Sequence, residues 1–356
     1  MITIGIDTHK RVHQAVAVDD RGAEVARWRG GNHPDAWNEL MAWMVRLGAD
    51  RQVGIEGAWN YGRGLAQHLV IGGETVYEVN PRWTSAMRRA ARRRGKSDRL
   101  DALAVALCVR QEGPGLPRVG LEDETVILQL LTGERENALA EATRLRNQIH
   151  AHLMQLDPQY QDAMRSIKTR RALDALKAYT TDDDRPVQRA RAEIVRALAQ
   201  RLELALSQAE EIGKTIRELA AARYEALTRI CGVNLLTAGI LAGILGPGRR
   251  FRSDAELAAY AGAAPLEASS AAHVRHRLNR TGDRRLNAVL YRIALTQAHY
   301  SPEGKAYLAR RMSEGKTRRE AVRALKRYIV RAIYRIWTEI IPLSANPTPC
   351  ATCGCT

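Results

Sequence analysis

Residues 2–7 read ITIGID and residues 53–56 read VGIE, two short apolar runs that each end on an acid. Both are too short for helices and too rich in β-branched residues for loops. They read as strands whose last residue emerges at the strand's end. Further β-rich runs lie at Ala15 to Val18 and Thr75 to Val79, with a weaker one at Glu24 to Trp28. Helical periodicity occupies Pro34 to Leu47 and Tyr61 to Ile71. Three strands in a row, then helix, strand, helix, strand and helix, predict an α/β unit with a mixed sheet, an antiparallel start and right-handed crossovers.

The β signal vanishes from about residue 121 to 225. Apolar residues there recur at three and four, at Leu139, Ala142, Leu145, Ile149, Leu153 and Leu156, then at Ile194, Leu198, Leu202, Ala209, Ile212, Ile216 and Leu219. This predicts two long amphipathic helices with a coiled-coil-like seam, joined through the polar turn TTDDDRP at Thr180 to Pro186. A hairpin within one chain and pairing between subunits both satisfy the pattern. Residues 226–340 are helical and basic. They open with LTRICGVNLLTAGILAGIL, where Gly232 sits between apolar runs as in a helix-hairpin-helix, or in an ordinary packed helix pair. The organisation expected is therefore 1–120, 121–225, 226–340 and a flexible tail at 341–356. That tail holds Cys350, Cys353 and Cys355, one ligand short of a closed zinc site.

Composition narrows the function. The 356 residues carry 55 Lys plus Arg against 39 Asp plus Glu, a net charge of +16, which points to a polyanionic partner. A hydrophobic content of 45% is enough for real cores and excludes disorder as the main description. No run approaches the roughly 18 apolar residues of a membrane span, and MITIGIDTHK is no signal peptide, so a cytoplasmic protein without a membrane partner is expected. Five cysteines, unevenly placed, make no disulfide framework.

Four carboxylates stand out. Asp7 and Glu56 end strands that the proposed order makes neighbours, and Asp98 and Asp101, in KSDRLDALAVA, are three apart at a helix start and share a face. Acids crowded together cannot all stay ionised without a cation. Two Mg²⁺ ions about 4 Å apart would resolve that conflict and suit phosphodiester cleavage. The bland alternative makes Asp98 a helix cap and Glu56 a strand-end acid paired with Arg63. Arg88, Arg89, Arg92, Arg93, Arg94, Lys96 and Arg99 surround the paired aspartates, with Trp83 upstream as a stacking surface, a cradle for a nucleic-acid backbone.

A second basic segment, YAGAAPLEASSAAHVRHRLNRTGDRRLN, places Ser269 and Ser270 before Arg275, Arg277, Arg280, Arg284 and Arg285. A serine needs activation to act as a nucleophile, and a transferring phosphoryl group needs cationic neutralisation, which these arginines offer. On residue logic alone, phosphate binding or helix capping is the better reading of these serines. The EGKT at Glu314 to Thr317 is no Walker loop, because Arg310 stands where the first glycine belongs.

GIDTHK, IEGAWNYG, VNPRW, GKSDRLDALAVA and GAAPLEASS…VRHRLNRTGDRRLN, in that order, resemble the DEDD transposases of the IS one-ten type over nearly the whole chain. The resemblance implies a RuvC-like, ribonuclease H-fold first domain, a coiled-coil segment and a C-terminal transposase domain. It carries the acidic tetrad onto Asp7, Glu56, Asp98 and Asp101. The family's nucleophilic serine, five residues after a proline, falls on Ser270 by counting from Pro265, with Ser269 its neighbour. Here Ala271 follows where the family has glycine. The activity implied is Mg²⁺-dependent cleavage, exchange and religation of double-stranded DNA through a phosphoserine link, guided by a structured bridge RNA and carried out by a dimer or tetramer. Two rival readings are a Holliday-junction type nuclease using water and a non-catalytic nucleic-acid-binding protein.

Overall fold

A computed structural model of the chain describes residues 1–81, 84, 98–164, 166–264, 266–267, 276–277 and 282–341. They form two compact units, one of residues 1–126, 226–234 and 244 onward, the other of 127–225 and 235–243.

The first unit is built on a five-stranded sheet. β1 (Ile2–Thr8), β2 (Val12–Val18) and β3 (Glu24–Gly31) run antiparallel; β4 (Arg51–Glu56) and β5 (Val76–Val79) follow β1 in parallel, in the order β3-β2-β1-β4-β5. This is the mixed sheet with an antiparallel start that the runs predict. α1 (Pro34–Arg46) begins with Pro34 at its first turn and the His33 side chain accepting from the Ala36 amide, and it buries Ala36, Leu40 and Met44. α2 (Arg63–Ile71) buries Leu65, Ala66 and Leu69. Strand side chains alternate between faces, so these helices share one core with Ile4, Ile6, Val53 and Ile55.

The residues in between face the other way, toward α3 (Asp98–Glu112). There α3 packs Ala102 and Ala106 against Val16 and Val18, and Val105 and Val109 against Tyr77 and Val79. Two glycines let it come so close. Gly5 and Gly54 are register partners on β1 and β4; a Cβ on Gly5 would lie 2.1 Å from the Ala106 amide nitrogen and 2.3 Å from the Ala102 carbonyl, and one on Gly54 2.1 Å from Val109 Cγ2. No other residue fits at Gly5 without moving the helix.

The C-terminal residues of this unit are helical. Before them in the chain come the helices of the second unit, α4 (Glu124–Leu156), α5 (Tyr160–Ala163), α6 (Arg170–Lys177) and α7 (Pro186–Arg223). α4 and α7 lie antiparallel within one chain, as Gln188 Nε2 donating to the Gln155 carbonyl (3.1 Å) and the Arg201–Glu141 pair (3.4 Å) show. Of the two pairings open to the sequence, the structure has the intrachain hairpin. Its core joins Ala142, Leu145, Ile149 and Leu153 to Val195, Leu198, Ala199 and Leu202, with Leu173 and Leu176 of α6. The seam of α7 runs through Val195; Ile194, which the spacing picks out, is exposed instead.

α8 (Leu235–Leu245) carries no charged residue, and its last residues, Leu241 to Leu245, are buried on every side. Gly232, before it, has φ +91° and sits so close to another element that a Cβ would touch Thr296 and the Ile293 carbonyl. The turn is thus packed onto α10 (Arg284–Tyr300), and Gln297 Nε2 donates to the Cys231 carbonyl at 2.9 Å. α9 (Asp254–Tyr260), α11 (Pro302–Ser313) and α12 (Arg318–Ile340) complete the set, with a two-stranded ribbon of β6 (Leu266–Glu267) and β7 (His276–Arg277). The EGKT stretch is a helix junction: Gly315 turns at φ +84° and Thr317 caps α12 in a capping box with Glu320. Among the described residues, no helix is long and apolar enough to cross a membrane.

Candidate metal site

The sheet register places the first two acids. Asp7 pairs with Glu56 across parallel strands β1 and β4, and both stand on the face shared with Gly5 and Gly54, under α3. The first turn of α3 brings Asp98 and Asp101 to the same face, Asp101 buried and Asp98 exposed. The four acids expected from the sequence therefore occupy one end of the sheet.

His9 joins them. Its Nε2 lies 3.1 Å from Asp7 Oδ2 and 3.5 Å from Asp98 Oδ1, so one imidazole bridges a buried strand-end acid and an exposed helix-start acid. Asp7, His9 and Asp98 present their donor atoms within 4.8 Å of one another. His9 lies just past the end of β1, and the sequence reading passed over it.

Burial is the largest influence on Asp7 and raises its carboxyl above the usual carboxylate range; Asp101 and Asp98 push the same way, while His9 opposes them. Asp7 Oδ2 is buried, with His9 Nε2 3.1 Å away. Such an oxygen, facing other carboxylates, fits a hard divalent cation with oxygen ligands. Glu56 is held by its neighbours: Thr84 Oγ1 donates to its Oε2 (3.2 Å), and Thr8 Oγ1 to its carbonyl (2.7 Å). Arg63, the alternative partner for Glu56, is bound to Glu122 at 2.5 Å.

Of the basic cradle, Arg99 is described and is paired with Glu24 at 2.5 Å. Arg88, Arg89, Arg92, Arg93, Arg94 and Lys96, with Trp83, lie outside the described residues, as do Ser269, Ser270, Arg275, Arg280 and the tail cysteines. Arg277 belongs to β7, and the serines fall in sequence between β6 and β7. Arg284 and Arg285 open α10, which Asp283 caps by accepting from the Leu286 amide at 2.7 Å. The segment's two ends are drawn together: the Asp283 amide donates to the Tyr260 carbonyl (2.7 Å), and Gly282 abuts Gly262 too closely for any Cβ.

The C-terminal helices are fastened to the sheet beside Glu56. Arg250 is buried, and its guanidinium reaches Glu78 of β5, the Ile244 carbonyl (3.1 Å) and the Tyr260 hydroxyl (3.2 Å), while Trp59 Nε1 also donates to Glu78 (3.2 Å).

Comparison with known proteins agrees with this layout. Residues 4–158 match the DEDD transposase family of the IS110 type, and residues 224–309 match the Transposase IS116/IS110/IS902 family. One similar protein is the "Insertion element IS110 uncharacterized 43.6 kDa protein" of Streptomyces coelicolor, 26% identical over 285 residues, which cover 67% of this chain and 70% of that protein. The first match takes in part or all of every strand of the sheet and all four acids, the second takes in Arg250 and the helices α8 to α10, and on both counts the chain belongs to the IS110 family of transposases.

Proposed function

We propose that the chain cleaves, exchanges and rejoins DNA strands, with a divalent metal held by Asp7, Glu56, Asp98 and Asp101 and with Ser270 as nucleophile. The observation that supports this best is the pairing of Asp7 with Glu56 beneath a helix start that carries two more acids. Mg²⁺ bound there supplies Lewis-acid stabilisation of charge on the phosphoryl oxygens.

The chain's own residues do the rest. Ser270 Oγ attacks phosphorus; the Oγ–P bond forms as the bond to one deoxyribose oxygen breaks. The serine loses a proton and the departing oxygen gains one. The resulting phosphoserine diester conserves the bond energy, so a hydroxyl of the second strand rejoins DNA by the reverse attack without ATP. A dimer or tetramer that sets the acids of one subunit against the serine of another would unite two sites far apart in sequence. Target choice by base pairing with a structured RNA would leave sequence specificity outside the polypeptide.

Adduct trapping tests the chemistry. Protein purified with its co-expressed element RNA is given Mg²⁺ and labelled donor and target DNA, then denatured. A protein–DNA band present in wild type and in Ser269→Ala but lost in Ser270→Ala is expected. Cleavage without a band in any of the three would replace the serine with water, and a band lost only in Ser269→Ala would move the nucleophile by one residue.

A further inference from the structure

Residues 302–341 hold eleven Lys or Arg and four Asp or Glu, a net 11 − 4 = +7 of the chain's +16. Most of this sits on α12. One side of that helix buries Val322, Leu325, Ile329, Val330, Ile333 and Trp337. The opposite side presents Arg323, Arg327, Tyr328, Arg331, Tyr334 and Arg335, which fall within about 140° of arc at 100° per residue. No acid interrupts it between Glu320 and Glu339.

The aromatic groups on this face are ordered. Tyr328, 48% exposed, meets Tyr307 of α11 edge-on at 4.9 Å between centroids. A guanidinium lies over each ring, Arg310 over Tyr307 at 5.4 Å and Arg331 over Tyr328 at 5.6 Å. Asp254 anchors Arg327 (2.6 Å) and Arg331 (3.3 Å), and Tyr334 donates to the Arg252 carbonyl. Arg323 and Arg335, exposed, form no ion pair among the described residues. The exposed Tyr328, its ring neighbour Tyr307 and the guanidinium groups over them lie beside arginines free of ion pairs, a set of aromatic and cationic groups that suits bases and phosphates together.

We infer that the α11–α12 face is a binding surface for a single-stranded polynucleotide, separate from the acidic site and from the two basic segments of the sequence reading. A paired duplex keeps its base faces inside the stack and offers this platform only phosphates, so unpaired nucleotides are the partner that uses both tyrosines and arginines.

The test is equilibrium binding of the full-length protein, without divalent metal, to labelled 20-nucleotide oligo-uridine, oligo-thymidine and a 20-base-pair DNA duplex across a salt series. The absence of metal makes the result independent of catalysis, so it can fail or succeed whatever adduct trapping shows. Tyr328→Leu should weaken both single strands about tenfold, Tyr328→Phe should leave them unchanged, and the duplex should be little affected by either. Arg323→Gln with Arg335→Gln should reduce the single-strand salt slope by about 1.4, two contacts at about 0.7 each. Arg170→Gln with Arg171→Gln, both exposed at the start of α6, removes the same charge elsewhere and should change neither. Loss on uridine alone assigns the surface to RNA, and equal loss on both strands to either sugar; both uphold the inference. Unchanged single-strand binding, equal losses on the duplex, or an equal effect of the α6 pair would overturn it.

Discussion

Asp7 is the residue on which the site turns. Its folded carboxyl is raised by burial first and by Asp101 and Asp98 next, so the folded chain binds its proton more tightly than the unfolded chain does. This group therefore favours folding below the unfolded carboxylate range, and that benefit is lost as pH rises through the folded pKa. Asp7→Asn should therefore raise the denaturation midpoint at pH 7 in EDTA, and the gain should disappear at pH 3. With Mg²⁺ at about 100 times its dissociation constant, wild type should gain about 2.7 kcal/mol by linkage and the variant little, while strand cleavage by the variant falls about 10²-fold or more. A wild type that ignores Mg²⁺ in denaturation would remove the metal from this site. Asp7 and Glu56 were legible because each ends an apolar run, and Asp98 and Asp101 because their spacing fits one helix face. His9 was not, because a histidine just past a strand's end carries no periodic signal; only the register that sets β1 beside α3 reveals that it touches two of the acids.

At the scale of elements, the acids meet because α3 rests on backbone rather than on side chains. Gly5 and Gly54 face each other across β1 and β4, two residues before Asp7 and Glu56, and form the floor on which Ala102, Ala106 and Val109 sit. Gly5→Ala would drive a methyl group into the α3 backbone, which cannot rotate away as a side chain would. A loss of about 3 kcal/mol in urea denaturation is expected, together with loss of Mg²⁺-induced stabilisation, because α3 carries Asp98 and Asp101 away from Asp7. Gly133, inside α4 with nothing within 4 Å of its would-be Cβ, serves as the control, and Gly133→Ala should stabilise by up to about 1 kcal/mol. If Gly5→Ala behaved like Gly133→Ala, the close seating of α3 would be refuted. The strands and the α3 pattern were readable from apolar runs and spacing, but their separation was not: a glycine in a strand signals a bulge, a bend or a close approach alike, and only the contact tells which. The same holds for α7, where two adjacent apolar residues, Ile194 and Val195, compete for one seam position and packing against α4 chooses the second.

At the scale of the whole molecule, sequence order and spatial order part company. The sheet of residues 1–126 and the helices of 244–341 belong to one compact unit, held by the Arg250–Glu78 pair, the Arg118 amide donating to the Arg250 carbonyl (3.3 Å) and, among the helices, Arg249 on the Ile341 and Thr338 carbonyls. The hairpin of α4 and α7 makes most of the other and leaves and returns through the turn near Asp183. Sequence periodicity found each segment's class, but a buried Arg–Glu pair 172 residues apart has no local signature, so the joining of the first and last thirds lay beyond it. A cut in that turn would break the chain without breaking either unit, since each is assembled from both sides of the cut. Residues 1–182 and 183–356, co-expressed as separate polypeptides with a tag on one, should purify together and co-elute on gel filtration, and should part only in denaturant. Truncating one partner of a buried charge pair costs about 3–5 kcal/mol, so adding Glu78→Gln should weaken the split pair visibly while the uncut chain stays in one piece. Free elution of the two halves in native buffer would mean that neither the hairpin seam nor the Arg250 anchor holds the molecule together.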